Sequence, residues 1–374
     1  MNIVILGSGF AALTAVKKTR KEAPDANITV IAPSKELIYL PSIIWIPSKI
    51  RKGDDLKIDM TNFFKRQNVD FIQARVTDIT NKGRTVHTDN GDFENDGLII
   101  ASGGRFIKKL PGIEHVITPC EGILAAEKIK DKLDSMTGGT IAIGFGGNPK
   151  EPSAMRGGPM FEFLFGIDTL LRRQGRRDKF EIIFFNPAEK PGLRLGAKVP
   201  DLILGMMAKK DIKTHLGHKM KAFERNKVIT EGGEINADLI LFMPGMTGPA
   251  WAQDSEIAKS EGGLIKANAF CQVEGMEKTY VAGDSGSFPG PDWQPKQAHA
   301  ADIQAEACSR NLVTELNGKE DLETFKHELF CIIDTLSHGI LIKRTDKGTF
   351  MLPGLRVMHF AKRFFETLYL KQYR

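Results

Sequence analysis

Met1-Asn-Ile-Val-Ile-Leu-Gly7-Ser-Gly9-Phe-Ala-Ala12 opens the chain. The apolar run at residues 3–6 reads as a buried strand, and a helical pattern follows the glycines as far as Lys21. Gly7-x-Gly9-x-x-Ala12 therefore stands between a strand and a helix, the context that a dinucleotide fingerprint requires. Gly7 permits the tight turn. Gly9 lets the backbone approach a pyrophosphate at the helix N-terminus, where free N–H groups and the helix dipole favour negative charge. Ala12 is small enough for the helix to pack on the strand.

Outward from this point the composition narrows the class. With 374 residues the chain suits two or three domains, and 41% apolar content supports a real core. Cys120, Cys271, Cys308 and Cys331 are far apart and form no CxxC or zinc spacing. That argues against a structural metal or a disulfide scaffold and fits a reducing compartment. Met1 leads directly into a core strand, so no signal peptide is expected. No run of 18 uninterrupted apolar residues occurs, so no transmembrane helix is expected either. The net charge of +6 is unevenly spread: residues 343–374 hold eight Lys or Arg against Asp346 and Glu366. A basic tail suits nucleic acid, an anionic membrane or plain water.

Strands and helices alternate along the chain, which predicts layered α/β domains. After a strand at 27–31 comes an unusually apolar loop, residues 37–47, containing Tyr39 and Trp45. A helix near 58–66, a strand at 69–74 and a hairpin (76–81 and 85–88) follow. Residues 97–104, Gly-Leu-Ile-Ile-Ala-Ser-Gly-Gly, read as a buried strand breaking into a turn. A second unit starts at Gly139, with a strand into Gly144-Phe145-Gly146-Gly147, a helix at 161–173 and a strand at 180–186. Residues 237–243 and 278–282 are again buried strands ending in turns, the latter at Gly283-Asp284. A helix follows at 297–316, and residues 322–374 differ in character and read as an appended module.

Three stretches together resemble the FAD signatures of the flavoprotein disulfide reductases with two dinucleotide domains: Gly7-x-Gly9, Ile99-Ile100-Ala101-Ser102-Gly103-Gly104, and Tyr280-Val281-Ala282-Gly283-Asp284. Narrower matches resemble the sulfide:quinone oxidoreductases. They are Tyr39-Leu40-Pro41-Ser42-x-x-Trp45, Gly158-Pro159-Met160-Phe161-Glu162-Phe163, Pro295-Lys296-Gln297-Ala298-His299, Cys331-Ile332-Ile333-Asp334, and His359-Phe360-Ala361-Lys362 before Phe365-Glu366. The resemblance covers essentially the whole chain in order. It implies two Rossmann-like domains of glutathione-reductase type, with an FAD domain at 1–105 and 237–320 and a degenerate NAD-like domain at 106–236. A C-terminal module at 321–374 would carry an amphipathic membrane-associating helix.

The resemblance also implies roles. FAD would lie against Gly7, Gly9, Ala12, Ser34, Ser102, Gly103, Gly283, Asp284 and Lys296. Ser34 or the backbone would meet the ribose, because Ala32-Pro33-Ser34-Lys35 offers no acid at the end of the second strand. Lys296, with the N-terminus of the helix after Gln297, would stabilise an anionic reduced flavin. Cys331 matches one of the family's two bridging cysteines. The other position, two residues before Gly158-Pro159, holds Arg156. Cys120 matches a third cysteine outside the usual pair, and it would bridge to Cys331 only if their Cα atoms approach to about 6 Å. From its own apolar surroundings Cys331 is equally readable as a buried structural thiol.

The second glycine cluster is weak as a nucleotide site. Asn148-Pro149-Lys150-Glu151-Pro152 follows it, and two prolines so close delay the helix that would hold a pyrophosphate. The next strand ends Phe184-Phe185-Asn186-Pro187, without an acid. This is the main argument against a type II NADH dehydrogenase. Glu162, in an apolar helix start, is either a buried carboxyl relaying protons to a quinone or a helix-N-terminal charge satisfied by backbone N–H groups. Val357, Phe360, Ala361, Phe364, Phe365 and Leu368 recur at helical spacing, with Arg356, Lys362, Arg363, Lys371 and Arg374 as a basic rim. That is the profile of a helix lying in a membrane interface, or of a helix docked on its own core. Tyr39 and Phe365 would meet the quinone ring, and the apolar loop offers Trp45 as a further aromatic for it.

The expected protein is thus a monotopic FAD oxidoreductase passing electrons from sulfide, or another small reduced sulfur donor, to a membrane quinone. No metal and no nucleic acid are expected, and a homo-oligomer stays open. The rivals are another flavoprotein quinone reductase, a type II NADH dehydrogenase included, and a flavin-bearing redox sensor without sulfide turnover.

Overall fold

The computed structural model describes residues 1–374. Its first sheet is fully parallel, in the spatial order Thr279–Val281, Gly97–Ile100, Asn2–Leu6, Asn27–Ala32, Val69–Gln73. These strands read as near-continuous apolar runs because helices or other layers cover both faces. The chain leaves strand Asn2–Leu6 toward one neighbour and returns to the other, so the opening fingerprint sits at the switch point where such sheets bind ligands. Helices Phe10–Glu22 and Ala298–Leu316 pack side by side on one face. On the other side lies an antiparallel meander, Val76–Thr80, Thr85–Thr88 and Gly91–Glu94, one strand longer than the expected hairpin.

The second sheet is also parallel: Ile212–Leu216, Phe180–Asn186, Gly139–Phe145, Leu239–Met243. Leu239–Met243 therefore belongs to this unit, so the division expected before residue 237 falls after Met243 instead. A buried strand ending in a turn looks the same whichever sheet takes it, and only pairing with Ile141–Phe145 decides the matter. The two crossings between the domains, Arg105–Phe106 and Met246–Thr247, pair antiparallel and so fix one domain to the other.

Two local expectations change. The segment read as a helix near 58–66 begins as a strand, Lys57–Asp59, which pairs with Glu36–Ile38, and the helix is only Thr61–Arg66. The apolar loop that precedes it, residues 37–47, is core: Leu40–Trp45 forms a 3-10 turn in which Ile43 and Trp45 are fully buried.

The C-terminal part is a three-stranded antiparallel sheet, Glu328–Asp334, Gly339–Thr345 and Gly348–Leu355, followed by helix Arg356–Lys371. It is integral to the fold. Leu329 and Ile333 join the apolar cluster of helix Gly158–Arg173, while Leu370 and Tyr373 join that of the first domain, where Tyr373 meets the Phe63 ring at 5.2 Å. No helix is long and apolar enough to cross a membrane.

Candidate active site

The C-terminal ends of three adjacent strands of the first sheet gather most of the expected nucleotide residues. Gly7 has φ +117°, and a Cβ there would lie 2.3 Å from the Ala101 carbonyl oxygen, so the turn excludes any side chain. Gly9 caps helix Phe10–Glu22 without a side chain, and a Cβ on it would meet nothing within 4 Å. The free N–H groups of the first turn thus face open space, the arrangement an anion needs. Ala12 is fully buried beneath that turn. Ser34 Oγ accepts from the Glu36 N–H at 3.2 Å, and Ser8 Oγ donates to the Glu36 carbonyl at 3.4 Å, tying the end of the second strand to the glycine turn.

Ser102 and Gly103 follow the neighbouring strand. Gly103 accepts from Ser285 Oγ at 3.0 Å, and a Cβ on it would also meet open space. Beyond the third strand, the Gly283 N–H donates to Gln304 Oε1 at 2.9 Å, and Asp284 pairs with Arg156. Lys296 is buried, with its ammonium donating to the Gly286 carbonyl and, at 3.5 Å, to that of Gly283. Burial pushes this amine down to about 8, with Asp284 and Glu151 opposing the fall. Gln297 caps helix Ala298–Leu316, and its Nε2 is buried without a partner. An open cradle over two glycines, an uncapped helix start and an orphaned amide donor together fit a dinucleotide with a polar ring at its end.

The second glycine cluster is differently built. After strand Gly139–Phe145 the helix begins only at Gly158. The intervening loop is stitched to the first domain. Asn148 Nδ2 donates to the carbonyls of Met246 at 3.0 Å and Gly262 at 2.9 Å, and Ser287 Oγ donates to Glu151 at 3.0 Å. Asn186, at the end of the next strand, spends its amide on the Phe145 carbonyl at 2.9 Å. A pyrophosphate here would meet neither a helix N-terminus nor a free turn.

The cysteines are four free thiols. Cys120 and Cys331 pack against the same apolar cluster and share Glu162 and Lys362 as charged neighbours. Burial pushes each thiol up to about 12, with Arg156 opposing the rise at Cys120 and Glu162 adding to it at Cys331. Both are therefore protonated at rest.

Glu162 lies at the centre of a buried polar group. Its Oε1 accepts from the Asp334 N–H at 2.8 Å and from the Lys362 ammonium. Of the two expected readings, the burial that the first needs is present, whereas the only backbone N–H that Glu162 accepts comes from a strand and not from the start of its own helix. Burial raises this carboxyl to about 7 against the pull of Lys362. Asp334 Oδ2 binds His359 Nδ1 at 2.6 Å, and its Oδ1 accepts from the Trp45 indole at 3.3 Å. Burial works against ionised Asp334, yet His359 and Lys362 hold it below the ordinary carboxylate range. Ser42 and Arg51 bind Glu366 at 2.6 Å and 2.8 Å.

The sequence reading missed most of this group. It assigned Lys362 to a basic rim, but the side chain turns inward and also donates to the Ile332 carbonyl at 3.2 Å. His359, Lys362 and Glu366 are spaced three and four apart on one helix face, and that stripe was the available signal. The opposite face is bare: Val357, Phe360, Phe364, Phe365 and Leu368 are each at least 48% exposed. Phe365 lies 6.1 Å from the Phe330 ring, beside Cys331. Tyr39 is elsewhere, buried between Phe10 at 5.9 Å and Tyr369 at 5.7 Å. Tyr39 and Phe365, both expected at a quinone, thus belong to separate groups, and Trp45, also offered for it, is fully buried against Asp334.

Residues 1–305 match the family model described as pyridine nucleotide-disulphide oxidoreductase. A sulfide-quinone reductase of Aquifex aeolicus is 24% identical over 354 residues, 89% of this chain and 81% of that one. A type II NADH:quinone oxidoreductase of Staphylococcus saprophyticus is 22% identical over 338 residues, 85% of this chain and 83% of that one. Among solved structures, the Aquifex aeolicus sulfide:quinone oxidoreductase superposes with a TM-score of 0.90 at 22% identity, covering 100% of this chain and 91% of that one. A NAD-dependent persulfide reductase from A. fulgidus gives 0.70 at 19% identity, covering 93% and 64%.

Proposed function

The chain belongs to the pyridine nucleotide-disulphide oxidoreductase family and is an FAD flavoprotein oxidoreductase, and from that premise we propose that it carries electrons from sulfide or another reduced sulfur compound to a membrane quinone. When bound, FAD would supply the two-electron chemistry. Gly7, Gly9 and the start of helix Phe10–Glu22 would hold its pyrophosphate, Asp284 a ribityl hydroxyl, and Lys296 the edge of the ring on which reduced flavin carries charge.

One observation carries the reading. Helix Arg356–Lys371 presents Lys362 and His359 inward to Glu162 and Asp334, and an exposed apolar face outward. Lipid is the solvent that suits the outer face. Arg356, Arg363, Lys371 and Arg374 add the basic charge that anionic headgroups attract, at about 1 kcal/mol each. Phe365 stands where a quinone ring would leave the lipid. Glu162, half-ionised near neutral pH, exchanges protons with that quinone.

Cys331 serves the sulfur donor. As their S–S bond forms, its sulfur and the sulfide sulfur each lose one proton to solvent and give up one electron, the pair going to the bound flavin. A second sulfide then attacks the outer sulfur and leaves with it as disulfane, and the expelled Cys331 thiolate takes up a proton to restore the thiol. Without a second bridging cysteine no longer polysulfane is held between two protein sulfurs, so the product is short.

The NADH-linked relatives supply the second reading. The stitched loop at residues 146–157 disfavours it, because it leaves NADH no pyrophosphate cradle. Anaerobic stopped-flow reduction decides. Sulfide should bleach the flavin of the parent protein and micromolar NADH should not. Cys331→Ser should slow sulfide-driven reduction at least about tenfold, or about 1.4 kcal/mol of barrier. Rapid bleaching by NADH would install the dehydrogenase reading. Bleaching by neither donor would favour a sensor.

A further inference from the structure

Arg156 stands where the resemblance implies the second bridging cysteine, and its surroundings are specific. It ends the loop that Asn148, Glu151 and Arg194 fasten in place, the last through a 2.6 Å bond from its guanidinium to the Pro152 carbonyl. The loop delivers Arg156 out of the second domain and onto the first. There its guanidinium is 15% exposed, pairs with Asp284, and donates to the Lys296 carbonyl at 3.4 Å. Asp284 and Lys296 are the two charged residues assigned above to the flavin. Cys120 also feels the Arg156 charge.

We propose that Arg156 acts on the flavin by charge: where the resemblance implies a second redox thiol, this chain places a fixed cation that stabilises the reduced, anionic flavin and raises the potential of the bound FAD. The inference rests on the FAD placement above. A guanidinium is always charged and hydrogen-bonds in a fixed plane, so it provides a constant field in a site sheltered from water. Oxidised flavin is neutral and reduced flavin is anionic, so the field favours only the reduced form. Asp284 holds the guanidinium in position through one carboxylate and offsets part of its charge. The donor side then depends on one thiol and a more oxidising flavin, in place of a disulfide that stores electrons.

The test is the midpoint potential of FAD in the loaded protein, read by dye-coupled anaerobic titration with xanthine and xanthine oxidase. Arg156→Met should lower the preference for reduced over oxidised flavin at least tenfold, about 30 mV for a two-electron couple. Arg156→Lys should keep most of the parent potential. Arg156→Gln keeps an amide donor for Asp284 and carries the same expectation as methionine if the latter loses FAD. The double variant Arg156→Met with Asp284→Asn removes both charges and should remain below the parent. Parental potentials in the methionine and glutamine variants would overturn the proposal. So would a full return to the parent value in the double variant, which would make Arg156 only the counter-ion of Asp284. The titration uses no sulfide, quinone or NADH, so it stands even if sulfide fails to reduce the parent protein, a failure that would sink the sulfur reading alone.

Discussion

Replacing Glu162 with glutamine should flatten the pH dependence of stability across the neutral range. Burial raises this carboxyl from 4.5 to about 7, despite the Lys362 ammonium and the Asp334 N–H. An acid whose folded value exceeds its unfolded one binds its proton more tightly in the folded chain. Its contribution is fully present below the unfolded value and is lost as pH rises through the folded one. The interval from 4.5 to about 7 corresponds to about 3 kcal/mol at about 1.4 kcal/mol per pH unit. Between about pH 4.5 and pH 8 the parent should therefore lose about 3 kcal/mol more than the variant, which has nothing to titrate at this position. Asp302, raised by burial to about 6, has the same sign, but it is common to both proteins and cancels in the difference. Urea unfolding of the detergent-solubilised, FAD-loaded proteins, followed by circular dichroism at half-unit pH steps, measures this directly. A constant offset between the two curves would reflect only the weaker bond to Lys362. Parallel curves, with no divergence above pH 5, would refute the burial argument.

Gly9→Leu should abolish FAD retention while leaving the apoprotein folded, because a Cβ there meets no protein atom within 4 Å and the side chain would fill the approach to the helix N-terminus; a yellow, FAD-stoichiometric variant would refute the placement. Phe360→Ser with Phe364→Ser should release the protein from anionic vesicles in a flotation assay and leave FAD bound, since both rings are 61% exposed. Deleting residues 354–374 should instead destabilise the whole protein, because it removes Leu370 and Tyr373 from the first domain's apolar cluster and takes His359 and Lys362 from Asp334 and Glu162. Thermal melting distinguishes the two, and an unaffected truncation would mean that the C-terminal helix is an independent module after all.

The Gly7–Ala12 fingerprint, the buried strands and the alternation of strands with helices were legible in the sequence because they are local: a backbone that must turn through positive φ at Gly7, or a strand covered on both faces, leaves its mark in a few adjacent residues. The delayed helix after Gly147 was legible for the same reason, two prolines acting on their own neighbours. Which sheet takes Leu239–Met243 was not, because pairing joins residues about a hundred positions apart and the apolar pattern is identical in either sheet. Nor was the fate of Lys362 or Trp45. A lysine on an amphipathic helix reads as rim until a buried carboxylate from another helix meets it, and a tryptophan in an apolar loop does not show that it is core until Asp334 accepts from its indole. Arg156 was visible only as the residue where the resemblance implies a cysteine, and its pairing with Asp284 depends on a loop that crosses between domains. Charge pairs and shared cores are made by tertiary contact, and it was the tertiary structure that turned a stripe of one helix and a single substitution into a candidate redox site.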